Sequence, residues 1–329
     1  MNSSADQSKK QAMADTSEQN TASAEECTEI LLSLGQARKS IHPKFFYDRA
    51  GSELFEKITQ LPEYYLTRTE LDIMHSNAKE IAQRVGPHAS LIEFGSGSSL
   101  KIRILLKTLD RLAAYVPVDI SRDHLFAAAK GLKKDFPWLN ILPVAADFTQ
   151  PFPLPDPQPT PLRNLIYFPG STIGNFDREA ARDLLRVMHH EAGDGGALLI
   201  GVDLKKDKDV LERAYNDRSG VTAAFNLNLL KRLNKEFAAN FDLDKFKHQA
   251  VYLPEQGCIE MRLVSLGQQE VSVAGKTFAF SAGEYIVTEH SNKYTLHEFS
   301  VLANSVGFEV EKVWCDPAEL FSVQFCVRR

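Results

Sequence analysis

Four short loops, each following an apolar run, carry the residues of this chain best suited to chemistry. The first is Glu93-Phe94-Gly95-Ser96-Gly97, where paired glycines let the backbone approach a ligand closely. A nicotinamide-cofactor fingerprint wants a third glycine three residues after the second, and Leu100 stands there. Asp119 closes the next apolar run, in VPVDIS, and a carboxylate at that place can accept from both hydroxyls of a ribose. Asp147-Phe148 closes the third, pairing an acceptor for an adenine amine with an aromatic face for its ring. The fourth, Phe168-Pro169-Gly170-Ser171-Thr172-Ile173-Gly174-Asn175-Phe176, offers Asn175, whose amide both donates and accepts, as a zwitterionic amino acid requires. Each has a plainer alternative. Asp119 could cap the helix near Ser121, Phe148 could be core, and Asn175 could cap the helix from Asp177.

Such loops need a frame that presents them together. Short apolar runs at 90–97, 113–120, 141–147, 164–172 and 197–204 alternate with helix-like stretches at 100–112, 122–136 and 177–192. That pattern predicts a parallel sheet covered on both faces. Two further strand-like runs, 308–316 and 320–329, are separated by too few residues for a crossover helix and predict a terminal antiparallel hairpin. Helical patterning near Glu25 (Ile30, Leu31, Leu34) and over 52–61 (Leu54, Phe55, Ile58) precedes this frame. A charged helix pair and antiparallel-looking strands between 205 and 294 interrupt it. We expect residues 1–24 to be an unstructured tail. We expect 69–204 with 295–329 to form the Rossmann-like domain, and 25–68 with 205–294 a substrate-binding α+β domain. A doubly wound sheet, a GxG loop, strand-end acids and a terminal hairpin fit an S-adenosylmethionine-dependent methyltransferase. The fold class expected is α/β, class I, with a seven-stranded sheet and a second α+β domain.

Composition narrows the functions. The 329 residues carry a formal charge of −5 without a basic cluster, which disfavours binding to a phosphate backbone. No apolar run approaches the ~18 residues that would cross a bilayer, and the polar N-terminus lacks the apolar stretch of a secretory signal. A cytoplasmic monomer with no membrane or nucleic-acid partner is expected. Cys27, Cys258, Cys315 and Cys326 are scattered, without a CxxC pair, so no zinc or disulfide framework is signalled. His189-His190 lacks a third ligand nearby and reads as surface, the run LKKDKDVLER as a solvated helix face, and Pro151–Pro161 as a stiff rim loop.

The segments YDRAGSELFEKITQLPEYYLTRTE (47–70), LIEFGSGSSLKIRILL (91–106), PVDIS (117–121), FPGSTIGNF (168–176), AYND (214–217) and TEHSNKY (288–294) resemble the histidine-specific N-alpha-methyltransferases of ergothioneine biosynthesis. Members of that family trimethylate the amino group of L-histidine to hercynine. The glycine loop and strand-end acids are common to many methyltransferases, whereas LPEYY, GSTIGN and TExS are peculiar to this family. The resemblance runs from about residue 28 to the C-terminus. It implies cofactor contacts at Tyr47, Gly95, Lys101, Asp119, Asp147 and Phe148. It implies histidine contacts at Tyr64, Asn175, Tyr215, Glu289 and Ser291, with Asn175 and Tyr215 on the amino-acid head and Tyr64, Glu289 and Ser291 on the imidazole. Gly170 and Thr172 would line the wall around the amine, and Met261 the side-chain pocket. Tyr47 and Asn175 would stand nearest the proton that must leave, with no dedicated base. Glu289 and Ser291, two residues apart, share strand parity and so can point one way. Read without the resemblance, Glu289 would be a solvated edge residue and Tyr64 and Tyr65 ordinary core aromatics. The alternatives are the same chemistry on another amino acid, or a noncatalytic S-adenosylmethionine binder.

Overall fold

A computed structural model describes residues 24–97 and 99–329, so the expected tail lies outside the described residues save for Ala24. The chain divides into two compact units. Unit 2 comprises Thr59–Ala214, Tyr252–Ile259 and His290–Arg329; unit 1 comprises the described residues up to Ile58 with Tyr215–Val251 and Glu260–Glu289. The first boundary falls ten residues before the one expected at 68/69 because helix α3 (Tyr65–Val85) packs on the large sheet. Tyr65, Leu66, Ile73, Met74 and Ile81 are the buried apolar side of that helix.

Unit 2 is built on a seven-stranded sheet. Its strands are β1 (Ala89–Phe94), β2 (Ala114–Asp119), β3 (Val144–Ala145), β4 (Arg163–Phe168), β5 (Ala197–Asp203), β11 (Phe308–Cys315) and β12 (Phe321–Arg328). Their order is β11-β12-β5-β4-β1-β2-β3. The first five strands run parallel, and β12 lies antiparallel to both β5 and β11. The terminal hairpin is thus present, with β12 as an interior strand. Every residue of β1 and β5 is buried, as a parallel sheet covered on two faces demands. Helices α4 (Ser99–Thr108), α5 (Arg122–Asp135) and α6 (Arg178–Ala192) follow β1, β2 and β4, and α9 (Leu296–Asn304) precedes the hairpin. One core face gathers Ile92, Phe94, Val116, Phe168, Leu185 and Ile200.

The third strand is shorter than expected. Of residues 141–147, only Val144–Ala145 pair as a strand, with a single bridge from Ile141 to Tyr115. Pro143 lies between them and has no N–H to give the ladder, which an edge strand tolerates.

Unit 1 holds α1 (24–34), a 3₁₀ turn Pro43–Phe46, α2 (Arg49–Ile58) and α8 (Val221–Glu236). Its aromatic side chains form one packed group: Phe46 stacks on Phe225 with centroids 4.4 Å apart, and Phe55 meets Phe225 at 6.0 Å. The hairpin β8 (Gln269–Val273) with β9 (Lys276–Phe280) also belongs here. Strands β6 (Phe246–Leu253), β7 (Cys258–Ser265) and β10 (Tyr285–Asn292) form a three-stranded sheet ordered β10-β7-β6. The short helix α7 (Lys208–Tyr215) leads into unit 1.

Candidate active site

Unit 2 places the strand-end residues side by side. Gly95 follows β1 with φ +76°, a left-handed conformation that costs an L-side chain and that glycine takes freely. Its N–H donates to the Val118 carbonyl at 2.9 Å, tying the glycine turn to the end of β2, where Asp119 stands. A Cβ on Gly95 would come 3.6 Å from the Phe148 ring, so Phe148 borders the turn. Phe148 also lies 5.7 Å from Phe94 and 6.0 Å from Phe168, so it belongs both to the turn and to the flank of the core. Asp119 accepts from the Ser121 N–H at 2.9 Å, and burial pushes its carboxyl above the usual range, partly offset by that bond. Asp147 accepts from the Thr149 N–H and hydroxyl at 2.9 and 2.7 Å.

The loop after β4 is held from three sides. Gly170 donates its N–H to both Glu70 oxygens, at 2.9 and 3.0 Å. Thr172 bonds back to the Pro169 carbonyl at 2.8 Å. Ser171 accepts from the Asp203 N–H at 2.9 Å, and the Asn292 amide donates to the carbonyls of Gly174 and Phe176, both at 2.8 Å. Asn175 ends a short 3₁₀ turn, Thr172–Asn175. The helix beyond it is capped by Asp177, which accepts from the N–H groups of Glu179 and Ala180, so Asn175 does not serve as that cap.

Two residues that sequence reasoning passed over organise these parts. Glu70, 1% exposed on α3, pairs with Lys101 as well as with Gly170, and so joins the glycine-loop helix to the β4 loop. Its signal was available: an acid inside an otherwise apolar helical stripe needs a partner. Arg68 donates to the carbonyls of Leu61, Pro62 and Tyr64 at 3.0, 2.6 and 3.2 Å, clamping the LPEYY turn that carries Tyr64. Tyr64 and Tyr65 are both buried, and the Tyr65 hydroxyl bonds Asp203 at 2.8 and 2.9 Å.

On β10 the side chains alternate. Ser291 is buried and its hydroxyl lies 2.7 Å from Lys293 Nζ; Asn292, on the opposite parity, is the residue that pins the β4 loop. Glu289 shares the parity of Ser291.

Unit 1 carries Tyr47, Tyr215, Met261 and Glu289. Tyr47 follows the Pro43–Phe46 turn, its ring 5.8 Å from Phe55 and 6.1 Å from Phe225. Burial, then the Glu289 charge, then Tyr215 push its phenol well above the ordinary value. Tyr47 as a whole keeps 46% of its surface exposed. Tyr215 is buried, and its carbonyl accepts from His248 Nε2 at 2.8 Å, while Asn226 Nδ2 donates to His248 Nδ1 at 2.8 Å. Those two bonds fix the neutral tautomer of His248, consistent with burial lowering its pKa. The neighbouring Asn216 and Asp217 secure the same corner: Asn216 exchanges two 2.9 Å bonds with the Ala250 backbone, and Asp217 caps α8 through Val221 and Thr222. Met261 is 2% exposed and its carbonyl accepts from Thr288.

The plainer candidates resolve as follows. His189 is half-buried rather than a surface residue, its ring edge-on to Phe308 at 5.3 Å. Among the described residues no group of three His, Cys, Asp or Glu could hold a metal ion, and no helix is long and apolar enough to cross a membrane.

Comparison with known proteins identifies the family. Residues 26–328 match the model of a family described as histidine-specific methyltransferase, SAM-dependent. A histidine N-alpha-methyltransferase of Mycolicibacterium smegmatis is 38% identical over 305 residues, covering 91% of this chain and 94% of that protein. One of Mycobacterium tuberculosis is 36% identical over the same shares of both chains. Ergothioneine biosynthesis protein 1 of Neurospora crassa is 29% identical over 290 residues, which span 82% of this chain and 31% of that longer protein. With seven strands in the order described and a match spanning nearly its whole length, the chain belongs to the S-adenosylmethionine-dependent histidine-specific methyltransferase family.

Proposed function

We propose that this chain is an L-histidine N-alpha-methyltransferase that adds three methyl groups to the alpha-amino nitrogen, giving hercynine for ergothioneine biosynthesis. The observation that carries the reading is the family match over residues 26–328 in a chain whose β10 bears Glu289 and Ser291 on one parity. A carboxylate and a hydroxyl so placed complement the two nitrogens of an imidazole.

The residues present fit S-adenosylmethionine. Gly95 has no Cβ at the turn, Asp119 suits the ribose hydroxyls, and Asp147 with Phe148 suits the adenine edge and face. Lys101, held by Glu70 beside Gly170, brings a cation for the amino-acid end. When bound, the cofactor supplies an electrophilic methyl on sulfur. The protein's part is position and electrostatics. Asn175 and Tyr215 hold the carboxylate and amine of histidine, Tyr64 and Met261 border its side chain, and Gly170 and Thr172 leave space as methyls accumulate. The amine must be neutral to attack. Tyr47, whose phenol is kept protonated, acts as a hydrogen-bonding group and not as a base, and the ammonium proton leaves to water beside Tyr47 and Asn175. The reaction is assigned to the cytoplasm and to a monomer.

Mass spectrometry of the protein incubated with S-adenosylmethionine and each common amino acid separately tests this reading. Mono-, di- and trimethylated products from histidine alone are expected. Products from another amino acid would overturn the roles of Glu289 and Ser291, and cofactor binding without any product would make the chain a noncatalytic binder.

A further inference from the structure

Tyr215 ends α7, and the last carbonyls of a helix have no partner within it. The Tyr215 carbonyl accepts instead from His248 Nε2, on β6, at 2.8 Å. The other ring nitrogen, Nδ1, lies 2.8 Å from Asn226 Nδ2, on α8. The same Nδ2 donates to the Arg262 carbonyl at 3.0 Å, and Asn226 is 0% exposed. Tyr215, Asn226, His248 and Arg262 all belong to unit 1. Two backbone carbonyls set the direction of every bond in this relay. A carbonyl only accepts, so Arg262 keeps the nitrogen of the Asn226 amide on the side that also meets His248, and Nδ1 must accept. The Tyr215 carbonyl likewise only accepts, so Nε2 carries the ring proton. A proton added at Nδ1 would set N–H against N–H. Turning the Asn226 amide over would mend that contact but set Oδ1 against the Arg262 carbonyl. Burial lowers the pKa of the ring, and the Tyr215 carbonyl and the Asp217 charge offset part of that. Two residues along β6, the Ala250 N–H and carbonyl both bond the Asn216 amide at 2.9 Å. Residues 215 and 216 are thus seated on β6 at two points, and the seat of Tyr215 runs through a titratable ring.

We propose that His248 is a positioning residue for the amino-acid substrate: as its Nε2–H tautomer it holds the backbone of Tyr215, and so places the Tyr215 side chain against the head of histidine. This rests on the assignment of Tyr215 to that head under the proposed function. His248 acts through Tyr215 and is given no contact with substrate or cofactor. Without the ring, the Tyr215 carbonyl loses the bond that fixes it, and the Tyr215 hydroxyl spends part of its time away from the position that binds. Such a loss weakens the hold on histidine and leaves the cofactor residues of unit 2 as they are.

The test uses the full chain. His248→Phe keeps a planar ring of similar size and removes both bonds, whereas His248→Gln keeps one acceptor and one donor on a planar amide. In turnover with S-adenosylmethionine, the phenylalanine variant should raise the KM for histidine about tenfold with kcat within about threefold, and the glutamine variant should stay within about threefold of the wild-type KM. Kd for S-adenosylhomocysteine, read by calorimetry, should stay within about twofold in both, which a general loosening of the fold would not allow. In a Tyr215→Phe background the cost of His248→Phe in KM should shrink below about threefold, because the hydroxyl that His248 places is gone. A phenylalanine variant with the wild-type KM overturns the inference. So does a glutamine variant as impaired as phenylalanine, or a full tenfold cost in the Tyr215→Phe background. Nitrogen NMR of the wild type, isotope-labelled at histidine, should show His248 with Nε2 protonated and Nδ1 bare at about pH 7.5, its signals identified by their loss in the glutamine variant. A cation or the other tautomer there overturns the inference whether or not the phenylalanine variant folds. Histidine turnover by the wild type separates these failures from failure of the functional reading, which would show as no methylation of histidine at all.

Discussion

Glutamine in place of Glu70 removes one negative charge from the junction of α3, the glycine-loop helix and the β4 loop, while keeping the volume. The carboxylate is 1% exposed and takes the Gly170 N–H and Lys101 together. Removing one partner of a buried pair costs roughly 3–5 kcal/mol. Lys101 keeps 15% of its side chain exposed, and the glutamine oxygen can still accept from Gly170, so the loss falls to about 2–3 kcal/mol. Rotation cannot relieve it, because a Cβ on Gly201 would lie 2.2 Å from Glu70 Oε1, a measure of how closely that backbone presses on the carboxyl. With an unfolding entropy of about 2.1 cal/mol/K per residue and a melting unit of roughly 200–300 residues, the midpoint should drop by about 3–7 °C. Calorimetric titration with S-adenosylhomocysteine should show Kd rising about tenfold, since Lys101 and the Gly170 loop lose their common anchor. A variant that melts within about 1 °C of the wild type and binds equally well would refute the view that this carboxylate joins the two loops.

Two further outcomes follow from the same geometry. Burial pushes the Glu93 carboxyl up to about 8, against the Tyr115 hydroxyl and the Lys101 charge, whereas an unfolded chain releases that proton near 4.5. The folded state thus binds the extra proton between those values, stability falls as pH climbs through them, and Glu93→Gln should flatten the fall. Urea midpoints at about pH 5.5 and about pH 8.5 check this, and parallel losses in both proteins would contradict it. Arg68→Lys cannot reach the three carbonyls of the LPEYY turn at once, so the KM for histidine should rise about three- to tenfold while stability stays within about 1 kcal/mol. Steady-state kinetics beside a denaturation curve reads both, and an unchanged KM would free Tyr64 from dependence on that clamp.

Much of the frame was legible because its signals are local. Apolar runs such as 197–202 declare a strand buried on both faces, and a three- or four-residue gap before the last run leaves only a hairpin. Asp119 and Phe148 were found by position at strand ends, and the structure sets them around the Gly95 turn. What stayed hidden depends on distant partners. Glu70 meets a glycine N–H one hundred residues away, and Lys293 meets an aspartate from another strand. The sequence shows Glu70 as an acid in an apolar helical stripe, yet no window of it names either charge's partner, because partners are decided by what folds over the site. Pro143 has no N–H to give the ladder, and the third strand pairs only over Val144–Ala145.

The alternation along β10 has a consequence for how this protein can change. In the proposed function Glu289 and Ser291, of one parity, face the side chain to be recognised, whereas Asn292, of the other, bonds the Gly174 and Phe176 carbonyls of the loop after β4. Substitutions confined to the first set can therefore explore new amino-acid preferences while the methyl-transfer apparatus stays as it is. A one-residue insertion or deletion in the same strand exchanges the two sets and disables both at once. Diversification of this segment should proceed by replacement at fixed length, with length itself the trait that cannot drift.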